Sequence, residues 1–368
     1  MRAEVREGSS PARKVILVGN PNVGKSVVFG HLTGRYVTVS NYPGTTVEVT
    51  RGESRIRGTS CEVIDTPGVY SLLPMSEDER VTRDILMGEA GALVLQVCDA
   101  KNMRRSLMIT IQLAELGVSM SLAVNMADEA RDRGVMPRLD GLEERIGVPA
   151  VATVAVRKKG LDRVVPLIGK AAAATLRVNY GARIEGAISA MERLLPDDVP
   201  LGKRGMALML LCGDDSLTPW LAENIRGEAI REMNAVRHDL VAAIGEDISY
   251  NVNQIRLSWI DALLGSLGEE PGASQGTDWA RLFGRFAMDP VYGVPILLAV
   301  LLLAYGFVGV FGAGILVDLL ENRVFGRGIV PGAAWVVERV VPWPLLKDFL
   351  VGPYGMISMA LSYAIAIV

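Results

Sequence analysis

Gly19-Asn20-Pro21-Asn22-Val23-Gly24-Lys25-Ser26 decides how the rest of this chain is read. Glycine, four residues, then Gly-Lys-Ser is the spacing of a phosphate-binding loop, and the context agrees with it. Lys14-Val15-Ile16-Leu17-Val18 before it reads as a short buried strand, and Val27-Val28-Phe29-Gly30-His31-Leu32 after it as a helix. Gly19 and Gly24 permit backbone geometry that a Cβ would forbid, so successive N–H groups can point at phosphate oxygens. The positive end of the following helix adds to that field. Lys25 is placed to reach the β- and γ-phosphates, and the Ser26 hydroxyl to ligate Mg²⁺.

Four downstream segments fit the same site. Arg35 to Thr46 has no period and ends in Asn41-Tyr42-Pro43-Gly44-Thr45-Thr46. A loop of that kind suits a hydroxyl that closes over Mg²⁺ and the γ-phosphate, with Thr45 and Thr46 as the candidates. Asp65-Thr66-Pro67-Gly68 ends a strand; Asp65 can hold Mg²⁺ through a water, and the Gly68 N–H can meet the γ-phosphate. An Asp before a Pro-Gly turn is also ordinary turn chemistry, so its meaning comes from following the phosphate loop. Asn125-Met126-Ala127-Asp128 ends another apolar strand. The Asp128 carboxylate can accept both the ring N–H and the exocyclic amine of guanine, while Asn125 ties its loop to the phosphate loop. Met126 stands where a lysine is usual, and its unbranched stem can still cover the base. Thr153-Val154-Ala155 closes the last strand, where a backbone N–H can reach the guanine oxygen. Arg157-Lys158-Lys159 beside it reads as a solvated loop.

Between Lys14 and Asn179, short apolar runs alternate with helical periodicities. Strands are expected at 14–19, 47–57, 60–65, 92–99, 119–125 and 150–155, with helices at 25–32, 79–87, 104–116, 139–146 and 161–176. That alternation implies an α/β fold, a mostly parallel sheet with helices on both faces, binding its ligand beyond the carboxyl ends of the strands. From Ile184 to Leu267 the alternation stops, and helices are expected at 184–195, 203–211, 219–244 and 253–264: a small all-α domain. Over the whole chain, 368 residues call for two or three domains, and a net charge of −3 gives no basic face for a nucleic acid. Cys61, Cys98 and Cys212 have no metal-like spacing, and Cys61 and Cys98 suit buried strand positions. Half the residues are hydrophobic, and much of that excess follows Val291. No charge occurs from Val291 to Val317, a run long enough to cross a bilayer and start a helical transmembrane domain. Ile329 to Pro344, with Trp335, Trp343, Glu338 and Arg339, suits an interfacial segment.

Together the motifs resemble a GTP-binding domain of the translation-factor-like class, and more finely the ferrous iron transporter FeoB family over nearly the whole chain. The finer resemblance rests on Gly19–Asn22 before Gly24-Lys25-Ser26, on Asn41 to Glu48, on Asp65-Thr66-Pro67-Gly68-Val69-Tyr70-Ser71-Leu72, and on Asn125-Met126-Ala127-Asp128. It implies GTP and GDP as ligands, Mg²⁺ as cofactor and Fe²⁺ as cargo. It implies K⁺ near the phosphates as well, held by Asn22, which resembles the asparagine serving that role in related GTPases. Val69 follows Gly68 where many regulatory GTPases carry a water-orienting glutamine, so slow intrinsic hydrolysis is expected.

On that resemblance the chain divides into a tail (1–12), a GTP-binding domain (13–180), a helical coupling domain (181–268), a linker (269–290) and a partial membrane domain. The last holds a span at 291–317, an interfacial segment at 329–344 and an incomplete second span at 349–368. A bacterial inner membrane with residues 1–290 in the cytoplasm, small accessory Feo proteins and a homo-oligomer are implied likewise. One span and part of another enclose no pore, so a fragment, a shortened gene or a second polypeptide is expected. A membrane-tethered regulatory GTPase and a ribosome- or RNA-associated GTPase share the phosphate loop and stand as alternatives.

Overall fold

Residues 13–34, 37–56, 58–268, 286–287, 289–316, 319–352, 355–357 and 359–360 are described in this computed structural model. The tail at 1–12, Arg57, residues 269–285 of the linker, Val317 and 361–368 of the second span lie outside them.

The first body of the chain carries strands β1 (Arg13–Gly19), β2 (Val37–Asn41), β3 (Glu48–Ile56), β4 (Thr59–Asp65), β5 (Leu93–Asp99), β6 (Ser119–Asn125), β7 (Ala150–Ala152) and β8 (Ala172–Ala173). Their order is β2-β3-β4-β1-β5-β6-β7, with β8 antiparallel on β6. β4, β1, β5, β6 and β7 run parallel, while β2 and β3 extend the sheet as antiparallel strands. Because β1 lies between β4 and β5, the chain leaves β1 towards one side and returns on the other. That reversal opens a crevice at the carboxyl end of β1, where the phosphate loop begins.

Alternation along the strands sorts side chains onto two faces. Val15 and Leu17 of β1 pack with Leu95, Val97 and Ala123 and with α1 (Lys25–Thr33) and α6 (Val164–Ile168). Ile16 and Val18 point the other way, into a cluster with Ile64, Val94, Leu122 and Val124, α2 (Glu77–Gly88) and α3 (Met103–Glu115). The short α4 (Ala127–Asp132) and α5 (Leu139–Ile146) complete this part.

Helices α7 (Gly181–Leu194), α8 (Lys203–Leu211), α9 (Thr218–Asn224), α10 (Gly227–Ile244) and α11 (Ile248–Leu267) follow. They make no separate core: Ile188, Met191, Met206, Leu208 and Leu263 join the cluster on the α3 side of the sheet. Polar groups reinforce the junction. Arg256 Nη2 donates to Glu115 Oε2 at 2.6 Å and its Nε to the Tyr180 hydroxyl at 2.9 Å, while that hydroxyl donates to Glu115. Burial pushes the Tyr180 phenol well above its ordinary range. Removing one partner of such a buried pair typically costs about 3–5 kcal/mol. Arg83 on α2 reaches Asp214 and Ser216, so both α2 and α3 are pinned to the helical domain.

Four expectations need correction. The stretch from Arg35 to Thr46 is not all loop: β2 pairs with β3 through Val37↔Gly52 to Asn41↔Glu48. Every residue of β2 is exposed, so its short Val37-Thr38-Val39 alternation marks no buried face. The expected strand at 150–155 stops at Ala152, and Thr153 to Ala155 belong to the loop beyond it. The helix expected over 161–176 ends at Ile168, and Ala172–Ala173 pair with β6. The helix expected over 219–244 is two, broken between Asn224 and Gly227.

The second body begins at Gly276. Asp289 caps α12 (Pro290–Tyr305) by accepting from the Val291 and Tyr292 N–H groups. π-helical turns follow over Gly306–Leu316 and Leu319–Ile329, then α13 (Val330–Val340) and α14 (Pro344–Val351). Val291–Gly312 is the one described helix long and apolar enough to cross a membrane, with mean hydropathy 2.5.

Candidate functional site

Three loops converge at the carboxyl edge of the sheet, from β1, β4 and β6, and a fourth joins them after β7. The phosphate loop leaves β1 at Gly19 and turns through Asn22 and Gly24, both in left-handed backbone at φ 63 and 87. At Gly24 that conformation suits glycine, and a Cβ there would also collide with the Asn125 amide. Gly24 then opens α1, whose first residue is Lys25.

Lys25 is 9% exposed, and its Nζ donates to Asp65 Oδ1 and to the Thr66 carbonyl. Ser26 Oγ donates to the other carboxylate oxygen, Asp65 Oδ2, at 3.1 Å. The cation, hydroxyl and carboxylate expected to work together are therefore in contact. Thr66 is anchored beneath them, its hydroxyl donating to the Leu17 carbonyl at 2.8 Å.

The β4 loop crosses close over the phosphate loop. A Cβ at Gly68 would lie 2.8 Å from Pro21 Cα, so only glycine fits this approach. Val69 donates its N–H to the Gly19 carbonyl at 3.0 Å, and its own carbonyl accepts from Asn20 Nδ2 at 3.0 Å. Val69 is thus locked in backbone pairing and 1% exposed, with no side-chain group to orient water. Beyond it, Gln112 on α3 accepts from the Leu72 N–H at 2.6 Å, and Glu79 on α2 accepts from Ser71 and Met75. Neither side chain was singled out from the sequence; a lone Gln or Glu inside an amphipathic helix carries no local signal.

Asn125 joins the site's two ends. Its Nδ2 donates to the Val23 carbonyl at 2.9 Å, while its Oδ1 accepts from Thr153 Oγ1 at 3.1 Å and from the Ala155 N–H at 2.9 Å. Asn125, Thr153 and Val154 are all buried. Met126 takes left-handed backbone and starts α4, bringing Asp128 into its first turn. The Asp128 side chain is partly exposed, and its Oδ2 pairs with Arg157 Nη1 at 3.2 Å. Sequence reading treated Arg157 as solvated; the turn after Ala155 returns it to Asp128, which no spacing rule reveals.

Thr46 stands apart from this group. Thr45 turns inward on its own loop, its hydroxyl bonding the Tyr42 carbonyl at 2.9 Å, and the exposed Thr46 hydroxyl donates to Glu77 Oε2 at 3.4 Å. The contacts of Lys25, Ser26 and Asp65 do not include it.

Oxygen donors of Ser26 and Asp65 beside the Lys25 cation form an edge suited to phosphate and a hard divalent ion. Among the described residues, no cluster of three or more His, Cys, Asp or Glu suits a metal ion.

The family model for Ferrous iron transport protein B matches residues 13–168, and that for the FeoB cytosolic helical domain matches 180–266. The Fe(2+) transporter FeoB of Staphylococcus aureus (strain COL) is 27% identical over 296 residues, covering 78% of this chain and 44% of that protein. A Porphyromonas gingivalis (strain ATCC BAA-308 / W83) fusion of Fe(2+) transport protein A with Fe(2+) transporter FeoB is 34% identical over 225 residues, 58% of this chain and 27% of that one. The chain thus spans less than half the length of these curated relatives. An S. thermophilus NFeoB mutant bound to mGDP superposes with a TM-score of 0.62 and 31% identity, covering 70% of this chain and 99% of that one. NFeoB from S. thermophilus bound to GDP.AlF4- and K+ gives 0.59 and 32%, covering 69% and 99%.

The Asn125 bonds generate a prediction about the site's architecture. Asn125→Ala leaves a buried carbonyl, hydroxyl and N–H unpaired, so it should cost about 2–4 kcal/mol of unfolding free energy. Hydrogen exchange at the Ala155 amide should rise with it. A loss below about 1 kcal/mol in a denaturant titration would show that the loops are held some other way.

Proposed function

This chain belongs to the ferrous iron transport protein B family, and on that footing we propose that it is the GTP-binding and GTP-hydrolysing cytoplasmic portion of an Fe²⁺ uptake transporter, with the start of its membrane domain. The observation that carries this reading is the contact of Lys25, Ser26 and Asp65 at the mouth of the phosphate loop, tied through Asn125 to the Asp128 loop. The triphosphate lies on the main-chain N–H groups of Gly19–Ser26, with Lys25 released from Asp65 to the phosphate oxygens. Ser26, Asp65 and Thr46 would hold Mg²⁺, which neutralises phosphate charge when bound. Asp128 accepts the two guanine N–H groups, and the loop at Thr153–Ala155 faces the guanine oxygen.

Hydrolysis is slow in this reading because Val69 offers the attacking water no partner. Asn22 at the turn of the phosphate loop would hold K⁺, whose charge offsets that developing between the β- and γ-phosphates. The S. thermophilus complex with GDP.AlF4- and K+ supports that assignment. Thr46, bonded to Glu77 on α2, must leave that partner to reach the phosphates. Its movement would be felt by α2, and through Arg83 by the helical domain, which is how nucleotide state would be passed towards the membrane.

In this proposal the chain divides into a tail at 1–12, a GTP-binding domain at 13–180, a helical coupling domain at 181–268, a linker at 269–290 and a partial membrane domain at 291–368. A bacterial inner-membrane location with residues 1–290 in the cytoplasm rests on family membership and on the apolar helix Val291–Gly312. The P. gingivalis fusion supports a small accessory Feo protein as partner. Fe²⁺ as cargo and a homo-oligomer rest on the family alone.

Nucleotide titration of Asp128→Asn tests the core of this proposal. A paired base contact is worth about 1–3 kcal/mol, so GDP affinity should fall by roughly ten- to a hundredfold while xanthine nucleotides gain. Unchanged GDP affinity would contradict it. For the cation, replacing KCl with NaCl at equal ionic strength should slow hydrolysis by the wild-type chain, and Asn22→Ala should remove the difference. Equal rates in both salts would dismiss K⁺.

A further inference from the structure

The carboxylate assigned to guanine already has a ligand from its own chain. Asp128 Oδ2 pairs with Arg157 Nη1 at 3.2 Å, and Oδ1 accepts the Glu129 N–H at 3.0 Å. Nearby, Lys101 Nζ lies 2.8 Å from Glu129 Oε2, and Arg133 Nη2 lies 4.0 Å from it. Arg157 reaches Asp128 from the turn that follows Ala155.

The chemistry of the two partners is closely matched. The edge of guanine that a carboxylate reads is N1–H, C2 and the exocyclic amine, a planar fragment with two parallel N–H donors. A guanidinium presents the same fragment with a positive charge. We propose that Arg157 is a built-in substitute for the guanine edge: its guanidinium pairs with the Asp128 carboxylate, and an incoming guanine must displace it. This rests on the assignment of Asp128 as the base-reading group.

The backbone confines that exchange to one side chain. Arg157 ends a short turn that begins at Ala155, whose N–H is bonded to Asn125 Oδ1 at 2.9 Å. Lys158 takes left-handed backbone at φ 54, and Lys159 closes the loop back onto Val154 through bonds of 2.9 and 3.2 Å. The loop around Ala155 is therefore held in one position by Asn125 and Lys159 while Arg157 occupies Asp128. With its side chain 65% exposed, Arg157 can swing into solvent without unfolding the loop. The pair keeps an isolated carboxylate from standing uncompensated, and it lowers apparent nucleotide affinity by the fraction of molecules in which Asp128 is covered.

Exposed ion pairs are weak, so the expected effect is about two- to fivefold. The test is stopped-flow and equilibrium binding of GDP and GTP to the full chain. Arg157→Ala should tighten both nucleotides by that factor, with the gain in the association rate. Arg157→Lys should fall between wild type and alanine, because it keeps the charge and loses the planar fork. Lys158→Asn, which removes a neighbouring charge and tolerates left-handed backbone, should match wild type. In an Asp128→Asn background the gain from Arg157→Ala should vanish. Unchanged or weaker GDP binding by Arg157→Ala, with Asp128→Asn still impairing it, would overturn this proposal and leave the guanine reading intact. Unchanged binding by Asp128→Asn would remove the guanine reading and this proposal together.

Discussion

The Asn125 carboxamide is the constraint on which the site depends. One planar group 3% exposed spends its donor on the phosphate loop at Val23 and its acceptor on Thr153 and Ala155. Loops from β1, β6 and β7 are thereby fixed at one spacing, as a site gripping phosphate at one end and a base at the other requires. The geometry also dictates sequence elsewhere. Gly24 must lack a Cβ because the Asn125 amide fills that space, and Gly68 because Pro21 does. Buried amides of this kind are strict, since each unmet hydrogen bond would be a cost in a place water cannot reach.

Beyond the site, the sheet and the helical domain act as one packed body. The face of β1 that carries Ile16 and Val18 is continuous with α2, α3 and helices α7 to α11. Two buried arginines cross the junction, Arg83 from α2 to Asp214 and Arg256 from α11 to Glu115. α2 and α3 also hold the segment after Gly68, through Glu79 and Gln112. That segment is therefore tied by hydrogen bonds to the two helices that pack against the helical domain.

Most of the sheet was legible because its parallel strands are largely buried and read as mostly apolar runs, broken by Glu62, Gln96 and Ser121, that end in Gly19, Asp65, Asp99 and Asn125. The loops after β1 and β4 were legible for a different reason: Gly24 and Gly68 are forced by backbone geometry and close approach. What escaped was whatever depended on tertiary partners. β2 is an exposed edge strand without an inward face, and its pairing with β3 fixes it. The helix expected beyond Ile168 was lost because Ala172 and Ala173 pair with β6, a tertiary pairing that overrides the strong helix preference of alanine. Arg157 was unreadable because its partner lies across a turn whose left-handed Lys158 has no sequence signature.

Isothermal calorimetry of the chain with GDP and GTP in magnesium buffer tests the central claim most directly. Main-chain amides of Gly19–Ser26 gripping phosphate, with Asp128 selecting the purine, predict saturable one-to-one heats for both guanine nucleotides and none for ATP at the same concentration. Absence of heat with GDP and GTP, or equal heats with ATP, would contradict the account.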